Sequence, residues 1–426
     1  MAVWHCRVAV MFAAAYVWRR VLGRTTFVAI TGSVGKTTCK ECLAAIVEQS
    51  YRTARTFRNQ NDFSGVPRTL LRARPWHRFA VLELAANGLG VMYRSAPLVR
   101  PDMAIVLSVA WNHRKNFRTL ENVAKEKSAL LANLKEAGIA LLNGDDPLVA
   151  GMAASLRRRV VKFGSLPEFD YWTEGETSNW PARFSFTVHA GSEHAQVHTQ
   201  LLGTHWKSAV LAAIAAAHLS GISLSRAAAA VARLEPVPGR MQPMTLPNGA
   251  VIIRDDFDGS ISTLMPAFRV LEEASATRKI LVMSGMTDSP LSPRDRYRRL
   301  GKEIACIFDR AVFIGEDAHH GVSGAVAGGM RADRAQAFQG LEDAVAALKC
   351  EVSPGDLMLL KGRHLDHVAR LAFALAGTVQ CWKPRCEMTI LCDYCRELGA
   401  TTQLRRAGEQ GQTIVLSPLD HTKEAG

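Results

Sequence analysis

The sequence has no long apolar run. A membrane-spanning helix needs about eighteen uncharged apolar residues in a row, and the nearest stretch, Val8 to Trp18, is closed by Arg7 on one side and by Arg19 and Arg20 on the other. No small-residue cleavage site follows it, and a strand pattern begins at once, which speaks against a signal peptide. The stretch reads as a helix docked on the body of the protein, with a basic helix lying on a membrane surface as the second reading. Acidic residues are missing from the start of the chain, the first being Glu41. Repeats are missing as well. Cysteine is sparse: of nine in 426 residues, five (Cys6, Cys39, Cys42, Cys306 and Cys350) are scattered, which suits reduced thiols in a cytoplasmic protein.

What is present is ordinary for a globular chain of two or three domains: 48% hydrophobic and 21% charged residues exclude a wholly disordered, collagenous or coiled-coil protein. Fifty-two Lys and Arg against thirty-nine Asp and Glu give +13, so the surface attracts anions without choosing among phosphates, acidic metabolites, nucleic acid and anionic lipid.

Short β-branched apolar runs alternate with helical patterns. Phe27–Thr31, Phe79–Leu84, Met103–Val109 and Ile139–Leu142 read as buried strands, and Cys39–Gln49 and Val123–Ala137 as helices between them, giving a mostly parallel sheet covered on both faces. Over 163–202 the period changes to two: Phe184, Phe186 and Val188 share one parity, Val197, Thr199 and Leu201 another, as in a small antiparallel β subdomain. The linker-like Glu235-Pro-Val-Pro-Gly-Arg240 precedes a second α/β, Rossmann-like domain with strands at 251–253, 279–283, 311–314 and 357–360. The expected division is a helix over 1–26, domains over 27–235 and 240–376, a cysteine-bearing segment over 377–401 and a poorly ordered tail over 402–426.

Val28-Ala-Ile-Thr-Gly32-Ser33-Val34-Gly35-Lys36-Thr37-Thr38 runs from a strand through a glycine turn into a helix. Backbone N–H groups there converge on a phosphate at a helix N-terminus, Lys36 reaches the outer phosphates, and the Thr37 hydroxyl holds Mg²⁺. This is a shortened P-loop, since Ile30 stands where the general form has its first glycine. It resembles the phosphate loop of the Mur ligase family, ATP-dependent amide-forming ligases of peptidoglycan synthesis. Asn59-Gln-Asn61, Leu82-Glu83-Leu84, Asn112-His113 followed by Glu121–Lys127, Asn143-Gly-Asp145-Asp146, Gly239-Arg240-Met241 and Lys361-Gly-Arg363 extend the likeness in order from about 27 to 376. It is most like the branch that adds D-alanyl-D-alanine to the UDP-muramoyl tripeptide, without the nucleotide-sugar domain, since 26 residues stand before the loop.

The resemblance implies a carboxylate phosphorylated by ATP and an amine attacking the acyl phosphate. One Mg²⁺ falls to Thr37 and Glu83, a second to His113 and a carbamate on Lys127. Arg240, His205, Lys361 and Asp255 complete the implied set, Asp255 as the functional carboxylate of the second domain. The residues alone leave other readings open. Lys127 by itself is a solvated helix lysine with Lys125 competing for its register, His113 a loop histidine and Asp255 a turn aspartate. Glu83 at the end of an apolar strand points to a ligand without the family, because an unpaired carboxylate there is costly. The chain departs from the family pattern at Trp206 and Ala209 (asparagines that face adenine), at Asp258 (an asparagine) and at Ser284-Gly-Met286 (Gly-Asp-Met, so a carboxylate is lost). Trp206 either stacks on the purine or belongs to the core.

Cys381, Cys386, Cys392 and Cys395 crowd into fifteen residues, with a terminal Cys-x-x-Cys. A structural Zn²⁺ knuckle is the expectation and a loose reduced tail the alternative. Nearby arginines raise nucleic-acid binding, but no base-stacking platform accompanies them. The expected protein is a cytoplasmic ATP- and Mg²⁺-dependent ligase that joins an amino acid or dipeptide to an anionic carboxylate acceptor, with peripheral contact at the inner membrane face through its first helix. The alternative is a non-catalytic nucleotide-binding scaffold.

Overall fold

A computed structural model describes residues 2–111, 114–384 and 386–400, with 2–7 as backbone only. Asn112, His113, Arg385 and the tail from 401 lie outside the described residues. The chain forms two compact units, one of residues up to 177 with 184–200 and 204–235, the other of 178–183, 201–203 and residues from 236 on.

The first unit is built on a nine-stranded sheet. Its elements are α1 (Ala2–Val21), β1 (Thr26–Thr31), α2 (Lys36–Glu48), β2 (Thr53–Arg55), α3 (Gly65–Arg72), β3 (Phe79–Glu83), α4 (Val91–Val99), β4 (Met103–Val106), α5 (Arg114–Phe117), α6 (Leu120–Ser128), β5 (Ile139–Asn143), α7 (Pro147–Ala150), β6 (Arg159–Gly164), β7 (Tyr171–Thr177), β8 (Ser185–Ala190), β9 (Glu193–His198), α8 (Lys207–Leu219) and α9 (Leu224–Val231). Strand order is β2-β3-β1-β4-β5-β6-β7-β8-β9. The strands β1, β3, β4 and β5 are buried on both faces, which is why they read as continuous apolar runs rather than alternating ones. One face carries Phe27, Ala29, Leu82, Val106 and Leu142 in a single core that also takes in Ala15 of α1 and Leu22 just after it.

Two sequence expectations change. The strands β7 to β9 are antiparallel as anticipated, yet they continue the same sheet, because β6 and β7 pair in parallel at Phe163–Tyr171 and Gly164–Trp172. The helix expected over 123–137 runs from 120 to 128, capped at its start by the Thr119 hydroxyl, which accepts from Asn122 N. A 3₁₀ turn at Leu131–Asn133 follows and buries Leu130, Leu131 and Leu134 without further helical turns.

The second unit holds β10 (Gln242–Thr245), β11 (Val251–Asp255), α10 (Ile261–Glu273), β12 (Arg278–Met283), α11 (Pro293–Ile307), β13 (Arg310–Ile314), α12 (Ala318–Ala327), β14 (Ala335–Phe338), α13 (Leu341–Glu351), β15 (Asp356–Lys361) and α14 (Ala369–Ala376). The sheet order is β10-β11-β15-β12-β13-β14, parallel except at β10. In such sheets ligands gather at the C-terminal strand ends, where Asp255, Met283 and Lys361 stand side by side. The segment after α14 is packed: Cys392 and Leu398 join Ala369 in a small core, and Gln380 N donates to Leu398 O.

Candidate active site

In the first unit the turn after β1 is set by close approach. A Cβ at Gly32 would lie 2.9 Å from Leu107 Cβ, and Gly35 takes φ +82°, a conformation that favours glycine. Beneath it, a Cβ at Gly35 would stand 3.4 Å from Ala209 Cβ, so the small residue on α8 fits the helix under the loop. The loop is tied to the end of β4. Ser33 Oγ donates to Ala110 O and accepts from Ala110 N, Ser33 N donates to Ser108 O, and Val34 N donates to Ser108 Oγ. Lys36 Nζ folds back onto Gly32 O at 2.7 Å, and Thr37 and Thr38 are buried at the start of α2.

Glu83 ends β3 with 1% exposure. Thr37 Oγ1 lies 3.1 Å from both carboxylate oxygens, and Asn61 Nδ2 donates to Oε1 at 2.7 Å. An all-oxygen set of threonine hydroxyl and carboxylate at a phosphate loop fits a hard divalent cation such as Mg²⁺. Behind it stands Lys40, a residue the sequence reading did not single out. Its ammonium is fully buried, donates to Thr56 O (2.9 Å) and Arg58 O (2.7 Å), pairs with Glu41 at 2.7 Å, and lies 4.0 Å from Glu83. The Thr56 hydroxyl accepts from Glu83 N. The lysine therefore fastens the asparagine loop after β2 to the helix that carries the phosphate loop. A signal existed: position 40 sits one turn from Thr37, Leu43 and Ala44 on the inward stripe of α2, where a lysine has to serve a purpose.

The two lysines of α6 differ in placement. Lys125 is exposed while Lys127 points inward, and burial, with Lys36 nearby, holds the Lys127 amine well below the ordinary lysine range although Glu126 opposes this. Glu126, also unanticipated, turns its carboxylate onto Gly90 N and Met92 N at the head of α4. His113 lies outside the described residues. His205 is exposed beside Trp206 (ring centroids 4.6 Å apart). Trp206 itself is 7% exposed, so of its two readings the structure takes the core one and purine stacking is set aside.

In the second unit the residues singled out at the strand ends meet. Lys361, fully buried, donates to Asp255 Oδ2 (2.5 Å), Asp258 O (2.7 Å) and Thr263 Oγ1 (3.0 Å). All three ammonium protons are thus engaged, and Lys361 holds Asp255 and the 258–263 turn rather than reaching outward. Burial pushes the Asp255 carboxyl up despite Lys361 and the Met241 N–H that opposes it. Asp258, where the family pattern has asparagine, ends below the carboxylate norm: burial raises it, but Lys361 and the Ser260 N–H outweigh that. Arg240 lays its guanidinium 4.2 Å from the centroid of Phe257, and its Nε is buried without a hydrogen-bond partner. A carboxylate from another part of the chain stands beside Gly285. Asp366 accepts from Ser284 Oγ (2.7 Å) and Gly285 N (3.3 Å) and pairs with Arg363.

Arg254, fully buried, is clasped by Asp256 (3.0 and 3.1 Å) and by Asp393 (2.6 and 2.9 Å), which ties the cysteine segment to β11. Cys381, Cys386, Cys392 and Cys395 line one cavity of about 10 Å³ with His367, and Cys392 Sγ stands 3.4 Å from His367 Nδ1. The loose-tail alternative fails, since the segment is packed. The zinc expectation is not supported either: among the described residues no group of three or more His, Cys, Asp or Glu is placed to hold a metal ion. The segment is held by the Arg254 clasp and its small apolar core instead.

Comparison with known proteins adds kinship. The Mur ligase middle domain matches residues 30–217, and the Mur ligase, glutamate ligase domain, matches 239–364. The chain is 32% identical over 308 residues to the UDP-N-acetylmuramoyl-tripeptide–D-alanyl-D-alanine ligase of Escherichia coli, covering 72% of this chain and 68% of that one. It is 29% identical to the protein of the same name from Mycobacterium tuberculosis over 395 residues, 88% and 77% of the two chains. Among solved structures, MurF from Acinetobacter baumannii superposes with a TM-score of 0.80 at 24% identity (87% and 80% covered). MurF from Thermotoga maritima, in complex with ADP, gives 0.75 at 21% (87% and 83%).

Proposed function

Because the chain belongs to the Mur ligase family, and is thereby an ATP-dependent ligase that joins a carboxylate to an amine, we propose that Lys36, Thr37 and Glu83 hold the outer phosphates of ATP and a Mg²⁺ ion during the first step. Mur ligases use ATP and Mg²⁺, and the cation supplies charge neutralisation at the γ-phosphate. The observation that carries this reading is the Thr37–Glu83–Asn61 cluster set directly behind the phosphate loop. A carboxylate oxygen of the acceptor attacks the γ-phosphorus, a new P–O bond forms, and the bond to the β-phosphate oxygen breaks to release ADP. The amine nitrogen then attacks the acyl carbon. A C–N bond forms, the C–O bond to phosphate breaks, inorganic phosphate leaves, and the nitrogen gives up its proton to solvent.

Lys127 is suited to carbamylation, because burial shifts its amine towards the neutral form, which is the form that adds carbon dioxide. The resulting anion, with His113, is the proposed holder of a second Mg²⁺ at the developing oxyanion. Arg240, with its unpaired Nε, is the proposed phosphate contact of the second domain, and Asp255, braced by Lys361, its functional carboxylate. His205, in the 3₁₀ turn that leads into α8, is the proposed nucleotide contact there. We take 27–235 as the nucleotide module and 240–376 as the module that delivers the amine. The names of the relatives favour a dipeptide as amine and a cell-wall precursor carboxylate as acceptor, in the cytoplasm. A non-catalytic scaffold is not favoured, given the kinship to ligases and the complete set of phosphate-loop residues.

The test is ADP release with candidate acceptors and amines, supplied singly and together. Release that needs both substrates and disappears in Lys36→Ala supports the proposal. A well-folded protein that fails to bind a non-hydrolysable ATP analogue with Mg²⁺ overturns it.

A further inference from the structure

Helix α1 is apolar on two sides, and only one of them is covered. Its inner stripe is fastened to the body. Trp18 Nε1 donates to Ala73 O (2.9 Å), Arg19 donates to Val99 O and Arg100 O while lying 3.6 Å from the Phe27 ring centroid, and Ala15 and Leu22 enter the core. The outer stripe is Val10, Ala13, Ala14, Val17 and Val21, at the spacing of one helix face; Val10 and Val17 are each 62% exposed and Val21 60%. A solvent-facing stripe is normally polar. Helix α11 of the same chain obeys that rule, presenting Arg294, Arg298, Arg299 and Lys302 to solvent. The outer face of α1 breaks it.

The helices packed against α1 are basic: α3 exposes Arg68 and Arg72, and α4 exposes Arg94. In sequence, residues 1–100 hold fifteen Lys and Arg against four Asp and Glu, which is +11 of the chain's +13. Arg20 lies 3.2 Å from the ring centroid of Tyr16, itself 45% exposed on the outer side of the helix. The loop after α3 is bonded to the turn between α1 and β1, where Arg78 Nη1 donates to Arg24 O (3.0 Å), and it exposes Trp76 by 60%. Apolar face, arginine rim and exposed tryptophan together are the chemistry of a helix lying in a lipid interface, where acyl chains take the valines, headgroups the tryptophan and anionic phosphates the arginines. A second copy of this chain fits less well, because a two-fold contact would set one basic rim against the other. Among the described residues no helix is long and apolar enough to cross a membrane.

We propose that the outer face of α1 rests on an anionic lipid surface. The test is flotation of the full chain with vesicles of phosphatidylcholine alone or with about 30% phosphatidylglycerol, at low and high salt. The expected result is flotation with the anionic vesicles at low salt, weakened by high salt. Val10→Glu/Val17→Glu is expected to reduce it about tenfold or more, with ATP-analogue binding unchanged because neither residue touches the nucleotide site. Absence of flotation with anionic vesicles overturns the proposal, and so does flotation that the double variant leaves intact. A dimer in sedimentation that the double variant dissociates also overturns it, placing a second copy on this face.

Discussion

Replacing Asp393 by alanine removes one half of the clasp around Arg254. Two charge-assisted bonds are lost, at 2.6 and 2.9 Å, while Asp256 keeps its own pair on the same guanidinium. Orphaning a buried charge altogether costs roughly 3–5 kcal/mol. Because Asp256 remains, the expected loss is smaller, about 2–3 kcal/mol, the scale of a hydrogen-bonded charge contact. That loss falls on the attachment of the cysteine segment, so its local opening rather than global unfolding is the quantity to read. Cys392 reports it: the residue is 7% exposed, and burial pushes its thiol up to about 12, so it reacts chiefly when the segment opens. At 1.4 kcal/mol per factor of ten, Asp393→Ala should speed alkylation of Cys392 about 30- to 150-fold, relative to the rate in denaturant. Cys39 and Cys42, buried in the first unit, should keep their protection. Mass mapping of the alkylated peptides assigns each thiol. An unchanged Cys392 rate would refute the claim that Asp393 holds the segment.

Glu83→Gln removes the carboxylate charge of the Thr37–Glu83–Asn61 cluster and leaves one neutral oxygen there; titration calorimetry should show Mg²⁺–nucleotide affinity down by about tenfold or more, with the melting temperature changed little. Lys40→Met should leave the asparagine loop unanchored, raising the Mg²⁺ concentration needed for half-maximal ADP release, and Lys40→Arg should recover part of it. Lys127 binds a proton in the unfolded chain over a pH range where the folded chain does not, so its contribution to stability is complete above about pH 10.5 and declines as pH falls towards its depressed folded value. In carbonate-free buffer the melting temperature of Lys127→Met should therefore rise less steeply between about pH 8 and 10 than that of the parent. Arg240→Ala should weaken ATP-dependent turnover while leaving ATP-analogue binding to the first domain within about threefold, since its guanidinium belongs to the second unit.

The phosphate loop was legible because its chemistry leaves few choices: a backbone that must approach a phosphate needs glycine, and the proposed contacts with the cation and the outer phosphates call for a hydroxyl and an ammonium, the groups that Thr37 and Lys36 carry. The central strands of both sheets, β1, β3, β4 and β5 in one and β11, β12, β13 and β15 in the other, were legible because burial on both faces leaves continuous apolar runs. What escaped was set by tertiary neighbours. Strand β10 contains Pro243 and sits at a sheet edge, so its propensity is poor and its existence depends on pairing with β11. The choice between Lys125 and Lys127 hung on which way a short, early-ending helix faced. Asp366 could not be matched to the gap at Gly285, since eighty-one residues separate them and only the adjacency of β12 and β15 brings them together. The clasp around Arg254 that ties down the cysteine segment escaped as well, since nothing in the cysteine spacing pointed to Asp393.

The four hydrogen bonds that join Ser33 and Val34 to Ser108 and Ala110 make the phosphate loop an added rung between β1 and β4. A loop already ordered in this way loses little conformational freedom when a nucleotide arrives. The shape of the loop is therefore set when the chain folds, and the Ser33 hydroxyl, which donates to one backbone group of Ala110 and accepts from the other, keeps it ready before any nucleotide arrives.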